Sequence, residues 1–319
     1  MGLTIHYDLK SKTRSSNKAK TLVEQFRQLA LDIGSFKEVG EVLEFTNPNY
    51  DDPELEDHCW LLIQAEQSVS CPWNKNRSRR VSPEKMFAVS IWPGEGCEEM
   101  NLGLCLYPKT IDWDYKVEDD QKFQYKDSHN FSYWKFRDYM DRRGHHKDCR
   151  SFDEKRKVKT KLTGWGWSSF CKTQYASDPS CGGIANFLAC HIGVVTLLDE
   201  IAKLSAMEVH IQDEGHYGPD TYSDDWREAR EKGVEPTYVY HPGKYDVKDL
   251  VEQVGEWNSM IAAMVGGLKD AFGGRVVAPI AEYPNFEQLE FQGGKDSDVR
   301  NFLRLMANLA KTQVVETPT

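Results

Sequence analysis

The amino-acid sequence predicts an α+β fold: an N-terminal sheet layer made of a βαβ unit with an added hairpin, followed by a helix-rich α/β part. Three observations predict this class. An amphipathic helix pattern lies between two strand patterns near the N-terminus. Two apolar strand patterns joined by a Gly-punctuated loop precede residue 110, and longer helical patterns dominate the second half.

The elements of the sheet layer follow one another along the first part of the chain. Residues 3–9 alternate as a strand, and the Ser-Ser-Asn run at 15–17 offers N-cap chemistry for a helix that ends at Gly34. Residues 36–45 form a second strand pattern. An apolar strand-like run, a polar loop and a hairpin complete this part, at residues 58–65, 71–80 and 86–108.

Helical patterns organise the second half. Residues 183–204 carry apolar side chains close to helical spacing, and residues 207–213 have the composition of a strand. A long helix pattern at 249–272 ends at a Gly-Gly pair, and a last helix pattern covers residues 296–311. These elements predict the α/β part of the fold.

The segment between the two halves has no decisive periodicity. Residues 112–161 are dense in charged and aromatic side chains, and the most highly charged stretch surrounds residue 155. The sequence therefore predicts a boundary at this point, with an α+β sheet domain at 1–155 and a helix-rich α/β domain at 156–319.

Composition bounds the function. The 319 residues carry a formal net charge of −10, which disfavours binding to nucleic-acid phosphates. Mean hydropathy is −0.63, and no apolar run approaches the roughly 18 residues that would predict a membrane span. The first residues lack the pattern of a signal peptide, so we expect a cytoplasmic protein that binds neither nucleic acid nor membranes.

The cysteines predict neither a zinc site nor a disulfide framework. No two of the eight have the C-x-x-C spacing, so we expect reduced thiols that pack as small apolar side chains, and no cofactor. The eight are Cys59, Cys71, Cys97, Cys105, Cys149, Cys171, Cys181 and Cys190.

Residues 164–193 are the most unusual stretch, with two tryptophans, three cysteines, a histidine and a Gly-Gly pair. The pattern from 165 to 213 predicts a strand, a Gly-containing loop, a helix and a second strand. If the two strands are parallel neighbours, their carboxyl ends meet at one sheet edge, where open α/β sheets bind ligands. Cys181 would then share this edge with Asp213, Glu214 and His216.

The candidate catalytic residues are Cys181, His216 and Glu214. A thiol just ahead of a helix N-terminus is favoured as a thiolate, so Cys181 is the candidate nucleophile. His216 is the candidate base and Glu214 the acid that orients it. His210, or His241 with Asp246, are the alternative bases.

Two other interpretations of the same stretch stay open. The Gly182-Gly183 pair could hold a phosphate, although neither a G-x-G-x-x-G pattern nor a P-loop is present. Alternatively, the pair only permits a tight turn from strand to helix, and the cysteines are packing residues. His191 lies about 15 Å along the helix from Cys181, so we exclude a shared zinc site.

Acidic side chains beside His216 raise the question of a metal. Asp213, Glu214 and Asp220 offer the oxygen ligands of a divalent cation, but solvated acidic loops are expected in a chain of this charge. We therefore predict no metal site. The sequence favours a protein that binds an unknown small molecule or protein without chemistry of its own, with a hydrolase or transferase centred on Cys181 as the alternative.

Overall fold

A computed structural model describes residues 3–48, 53–72, 74–115, 154–222, 239–272, 278–296 and 299–301. It confirms the α+β class, with an antiparallel sheet and several helices. The chain forms two compact units, each made of separate segments. Unit 1 comprises Met1–Thr46, Lys85–Cys105 and Gly164–Thr319, and unit 2 comprises Asn47–Glu84 and Leu106–Thr163.

A seven-stranded sheet forms the centre of unit 1. Strands from both halves of the sequence contribute to it, so the N-terminal strands do not form a layer by themselves. Its order is β11-β1-β10-β7-β6-β2, and β3 also pairs with β6. The strands are β1 (Thr4–Ser11), β2 (Glu38–Val39), β3 (Leu43–Thr46), β6 (Lys85–Trp92), β7 (Met100–Leu106), β10 (Trp165–Lys172) and β11 (Met207–Asp213).

Strand β1 lies between β10 and β11 and is antiparallel to both. Consequently β10 and β11 run parallel to each other, although they are not the direct neighbours that the sequence suggested. Thr4 pairs with Lys172, and Ile5 pairs with Asp213. The carboxyl ends of β10 and β11 therefore meet at one edge of the sheet, on either side of the start of β1.

Helix α1 (Ser16–Ile33) has the predicted capping and packing. The Ser15 side chain accepts a hydrogen bond from the Lys18 backbone N–H, and Gly34 ends the helix in the left-handed conformation. Leu22 and Phe26 are buried, and the helix packs against β6.

One face of β10 is buried, as the alternation of its sequence predicts. Trp165, Trp167 and Cys171 are at most 3% exposed. The Trp165 ring stacks on Phe87 of β6, with ring centroids 5.5 Å apart. The Trp167 indole N–H donates to the backbone carbonyl of Asn101 at 2.8 Å. The tryptophans therefore belong to the core that the neighbouring strands share.

Helix α3 (Gly183–Ala202) follows β10 after two short 3₁₀ turns, Gln174–Ser177 and Pro179–Cys181. Gly182 and Gly183 have φ values of 106° and 67°, so both occupy the region that favours glycine. The predicted tight turn is therefore present. Helix α3 is long and apolar enough to cross a membrane, but half of its most apolar window is buried inside the fold.

The remaining helices of unit 1 follow β11 in the sequence. Helix α4 (Val247–Phe272) packs against α3 and against α5 (Phe286–Gly293). A short hairpin of β12 (Asp220–Tyr222) and β13 (Val239–His241) precedes α4. The predicted helix at 296–311 lies largely outside the described residues.

Unit 2 contains two antiparallel strand pairs and a short helix. Strands β4 (Gln67–Cys71) and β5 (Asn74–Val81) pair, as do β8 (Thr110–Tyr115) and β9 (Glu154–Lys159). A core of Val69, Cys71, Val81, Trp113 and Val158 is common to them. The predicted boundary at residues 155 and 156 falls within β9, and independent folding of the two predicted domains stays a prediction.

Two local predictions in unit 2 were wrong. Residues 58–65 were expected to form a strand, but α2 (Cys59–Ala65) occupies them. A short apolar run suits a buried helix as well as a strand, so periodicity does not distinguish the two. Residues 71–80 were expected to be a loop, but most of them form β5, whose backbone groups pair with β4 despite the charged side chains.

Candidate functional site

The three predicted catalytic residues have separate surroundings. Cys181 ends a 3₁₀ turn and is half-buried, with Sγ 3.9 Å from the Ser180 hydroxyl oxygen. Glu214 follows β11, and its carboxylate accepts a hydrogen bond from the Thr4 backbone N–H at 2.9 Å. His216 is exposed in a left-handed conformation, with φ of 52°. Within the described residues, no hydrogen bond or ion pair joins Cys181 to Glu214 or His216.

The alternative bases have surroundings of their own. His210 of β11 pairs with Glu208 on the same strand, with Nε2 and Oε1 2.9 Å apart. His241 is exposed in β13. Asp246 accepts the backbone N–H of Lys248 at 2.8 Å, as expected of a residue that caps the start of α4.

A buried histidine occupies the edge where β10 and β11 end. His191 of α3 lies between Thr173, just after β10, and Asp213, the last residue of β11. Its Nδ1 is 2.8 Å from the Thr173 hydroxyl oxygen, and its Nε2 is 3.1 Å from Asp213 Oδ1. The second contact is within hydrogen-bond distance but is not well directed, so among the described residues Nε2 makes no hydrogen bond. All three residues are 0% exposed.

Asp213 also organises the turn that follows β11. Its carboxylate accepts the backbone N–H groups of Gly215, Tyr217 and Gly218 at 2.8 to 3.0 Å. A Cβ on Gly215 would lie 2.9 Å from the His191 ring, so glycine permits the close approach of the turn. Burial raises the pKa of Asp213, but the His191 imidazole and the backbone donors outweigh it and lower the pKa overall.

The burial of Thr173, His191 and Asp213 decides what they can do. A hydroxyl, an imidazole and a carboxylate in a row resemble the parts of a hydrolase triad. A nucleophile must reach its substrate, and the Thr173 side chain is enclosed. The three side chains are therefore suited to hold the chain ends at this edge in one geometry.

A second buried polar network lies beside the first. Gln174 accepts a hydrogen bond from the Leu3 backbone N–H at 3.1 Å and donates to the Asn258 side chain of α4 at 3.0 Å. Asn258 in turn donates to the Ser177 hydroxyl at 2.8 Å. These bonds tie the start of β1 and the segment after β10 to α4.

Six partly or largely exposed side chains border the same edge, and we call them the edge strip. They are His6, Glu98, Phe170, Lys172, Tyr175 and Glu214. The Lys172 ammonium lies 3.9 Å from the Glu98 carboxylate and 5.9 Å from the centroid of the Tyr175 ring. His6 lies 3.9 Å from the Glu214 carboxylate and has its ring 5.9 Å from that of Phe170.

The edge strip and the buried networks share the same segments of chain. Thr173 and Gln174 separate Lys172 from Tyr175, and Asp213 directly precedes Glu214. The buried side chains therefore fix the backbone that carries the exposed ones. Within the described parts of the chain, no group of three or more His, Cys, Asp or Glu side chains has the geometry of a metal site.

Sequence reasoning placed Asp213 and Glu214 at this edge but missed the role of His191. His191 was judged only by its distance from Cys181. Phe187 and Val195 flank it at four-residue spacing, and this pattern would have indicated a buried face of α3. A buried histidine needs polar partners, which would have pointed to the ends of the neighbouring strands.

The chain matches no known protein family, and no curated protein or solved structure is significantly similar to it. The function is therefore argued from the geometry of the edge.

Proposed function

We propose that the protein binds a small ligand at the edge strip, and that this ligand carries both an amino and a carboxylate group, as an amino acid or a short peptide does. The observation that carries the proposal is the concentration of buried polar side chains next to the strip. Burying such groups is unfavourable unless each is paired, and here the pairing holds the strip residues in place.

The chemistry of the strip favours a ligand with both charges. Lys172 can bind a carboxylate, and Glu98 or Glu214 can bind an ammonium group. Both ion pairs of the strip are 3.9 Å long, beyond the 2.7–3.2 Å range of a direct hydrogen bond, so a ligand can compete for either partner. The rings of Phe170 and Tyr175 supply apolar contact area beside the charges.

A binding screen tests this proposal. Free amino acids and dipeptides are titrated into the protein beside monofunctional amines and carboxylic acids of similar size, and thermal unfolding and calorimetry report binding. We expect only the compounds that carry both charges to bind. The Lys172→Met and Glu214→Gln variants should each bind about tenfold more weakly or worse, since each loses a charge-assisted hydrogen bond.

The matched control is Lys10→Met. Lys10 lies on the exposed side of β1 but outside the edge strip, so its loss should leave binding unchanged. If no compound of the panel binds, or if the Lys172→Met variant binds as tightly as the wild type, the proposal is wrong.

The second candidate function is a hydrolase or transferase in which Cys181 is the nucleophile. What supports it is the partial exposure of Cys181, which lies two residues ahead of α3. Iodoacetamide labelling of the native protein at neutral pH distinguishes the candidates. Rapid and selective modification of Cys181 would favour the enzyme, and inertness of all eight thiols would exclude it.

We further propose a cytoplasmic location and no association with nucleic acid or membranes. The acidic charge of the chain and the partial burial of α3 support this proposal. Fractionation of cells that express the chain tests it, since recovery in the membrane fraction would overturn it.

A further inference from the structure

Four cysteines of unit 1 lie in the segments that surround the edge strip. They come from distant parts of the sequence: Cys97 from the loop between β6 and β7, Cys171 from β10, Cys181 from the turn before α3, and Cys190 from α3. The Cys97 sulfur lies 3.9 Å from the Thr173 carbonyl oxygen, and the Cys171 sulfur lies 3.4 Å from the Glu98 carbonyl oxygen. Burial raises the pKa of Cys171, which is enclosed.

Cys97 packs against the apolar cluster that contains Cys190. Its backbone N–H donates to the Gly94 carbonyl at 3.2 Å, so Cys97 lies in the same turn as Gly94. The interaction between the two thiols raises the pKa of Cys97 and lowers that of Cys190, so Cys190 is the thiol of the pair that loses its proton more readily. Cys97 is partly exposed, and both thiols are free.

The loop from Pro93 to Glu99 lies directly on this part of α3. A Cβ on Gly94 would come within 2.7 Å of the Cys190 sulfur. Asn186, one helical turn before Cys190, donates from its side chain to the Glu95 backbone carbonyl at 2.8 Å. The backbone around Cys97 is therefore held against α3 by non-covalent contacts.

We propose that Cys97 and Cys190 are a redox-active pair that forms an intramolecular disulfide with hydrogen peroxide as the oxidant. The two cysteines pack in the same apolar cluster, and a loop, which adjusts more easily than a strand, carries one of them. The formation of the bond then needs only the approach of the loop to the helix. The proposal does not depend on the ligand of the edge strip.

The reaction balances within the pair. The Cys190 thiolate attacks peroxide, so that an S–O bond forms as the O–O bond breaks, and the leaving hydroxide takes the Cys97 proton as water. The Cys97 thiolate then attacks the Cys190 sulfenic acid, forming the S–S bond and releasing hydroxide. Two cysteine sulfurs are oxidised by one electron each, and the peroxide oxygens are reduced to water and hydroxide.

The disulfide would change the edge strip. Glu98 follows Cys97 directly and pairs with Lys172. A covalent link between Cys97 and α3 would fix the Glu98 side of the strip, and reduction would release it. The pair is therefore placed to couple the oxidation state of the protein to the surface that Glu98 and Lys172 form.

Peroxide treatment of the native chain followed by mass spectrometry tests the proposal. We expect the intact mass to fall by two hydrogen atoms, two thiols to disappear from an Ellman titration, and one linked peptide pair that contains Cys97 and Cys190. A thiol reductant should reverse all three changes. The Cys97→Ser and Cys190→Ser variants should not form the link, and Cys190 in the Cys97→Ser variant should instead be trapped as a sulfenic acid by dimedone.

Cys181→Ser is the matched control, since Cys181 belongs to the same group of thiols but not to the pair, and its variant should form the link normally. Because Cys190 is buried, we expect its variant to lose stability, and the partly exposed Cys97 provides the independent variant. A link that involves Cys181 or Cys171 instead, or eight free thiols after peroxide treatment, would overturn the proposal.

Discussion

His191 and Asp213 place two ionisable side chains where neither contacts solvent. Removing a charged group from water costs several kcal/mol, and the cost is recovered only when the remaining hydrogen-bonding positions are filled. Here Asp213 accepts three backbone N–H groups, and His191 has the Thr173 hydroxyl at Nδ1 and the Asp213 carboxylate 3.1 Å from Nε2. The pair therefore specifies one arrangement of the segments that follow β10 and β11.

The Asp213→Asn substitution should be strongly destabilising. An amide in place of the carboxylate removes the negative charge that faces His191. It also puts N–H groups where backbone N–H donors already point. Breaking a buried pair of this kind costs on the order of 3–5 kcal/mol. Urea unfolding measures it. Glu208→Gln on the same strand removes an exposed carboxylate that also pairs with a histidine, and it should cost about 0–1 kcal/mol.

Acid should abolish the difference between the wild type and Asp213→Asn. The pKa of Asp213 is lowered from its ordinary value of 3.8, so its contribution to stability is complete above that value. The contribution is lost as the pH falls through the lower value in the folded state. The difference in the free energy of unfolding should thus be constant above about pH 5 and shrink below pH 3.8. A difference that grows in acid would contradict the lowered pKa.

At the scale of the element, the loop between β6 and β7 is held against the start of the second half. Gly96 has a φ of 75°, and a Cβ there would collide with the backbone carbonyl of Tyr175. Glu98 in the same loop donates its backbone N–H to the Lys172 carbonyl at 3.0 Å. Only a residue without a side chain permits this approach.

The Gly96→Ala and Gly183→Ala variants separate backbone strain from collision. Both positions have positive φ, which should cost roughly 1–2 kcal/mol for alanine. A Cβ at Gly183 would have no neighbour within 4 Å, so strain is its whole cost. Gly96→Ala should lose about 1–3 kcal/mol more, because the Tyr175 backbone cannot rotate away as a side chain can. Equal losses in urea unfolding would show that the loop yields freely.

Elements with a clear periodicity of their own were predictable from the sequence, and elements without one were not. The amphipathic stripe of α1 and the strand pattern of β11 carry their own signals of type and length, and both are present. The seven residues of α2 make only about two helical turns. A run this short has no clear period, so its apolar side chains suit either a helix or a strand. Strand β5 depends on its pairing with β4, which no property of its own charged sequence reveals.

At the scale of the whole molecule, the strand order explains why the site was only partly predictable. The patterns around Cys181 and Asp213 placed both strand ends at one edge, which β10 and β11 confirm. The insertion of β1 between these strands is a long-range pairing and has no local signature. Leu3 at the start of β1 consequently donates its N–H to Gln174, a contact that sequence spacing does not indicate.

The two-unit organisation predicts which parts of the chain fold alone. Among the described strands, β1 pairs only with β10 and β11, which both lie after residue 163. Thr46 and Lys85 are direct partners in the β3–β6 pair, so a two-residue Asn-Gly turn can replace residues 47–84. Residues 106–163 belong to unit 2 and connect β7 to β10, which are neighbours in the sheet of unit 1. A flexible Gly-Ser linker can therefore replace them.

We expect this shortened chain to unfold cooperatively in urea and to keep the blue-shifted fluorescence of buried Trp165 and Trp167. The fragment 1–155, which ends at the boundary predicted from charge, is the matched comparison. It retains β1 without either of its partners, so the exposed Leu3, Ile5, Tyr7 and Leu9 face should prevent a cooperative transition. Cooperative unfolding of the fragment, with none in the shortened chain, would instead favour domains that divide at residue 155.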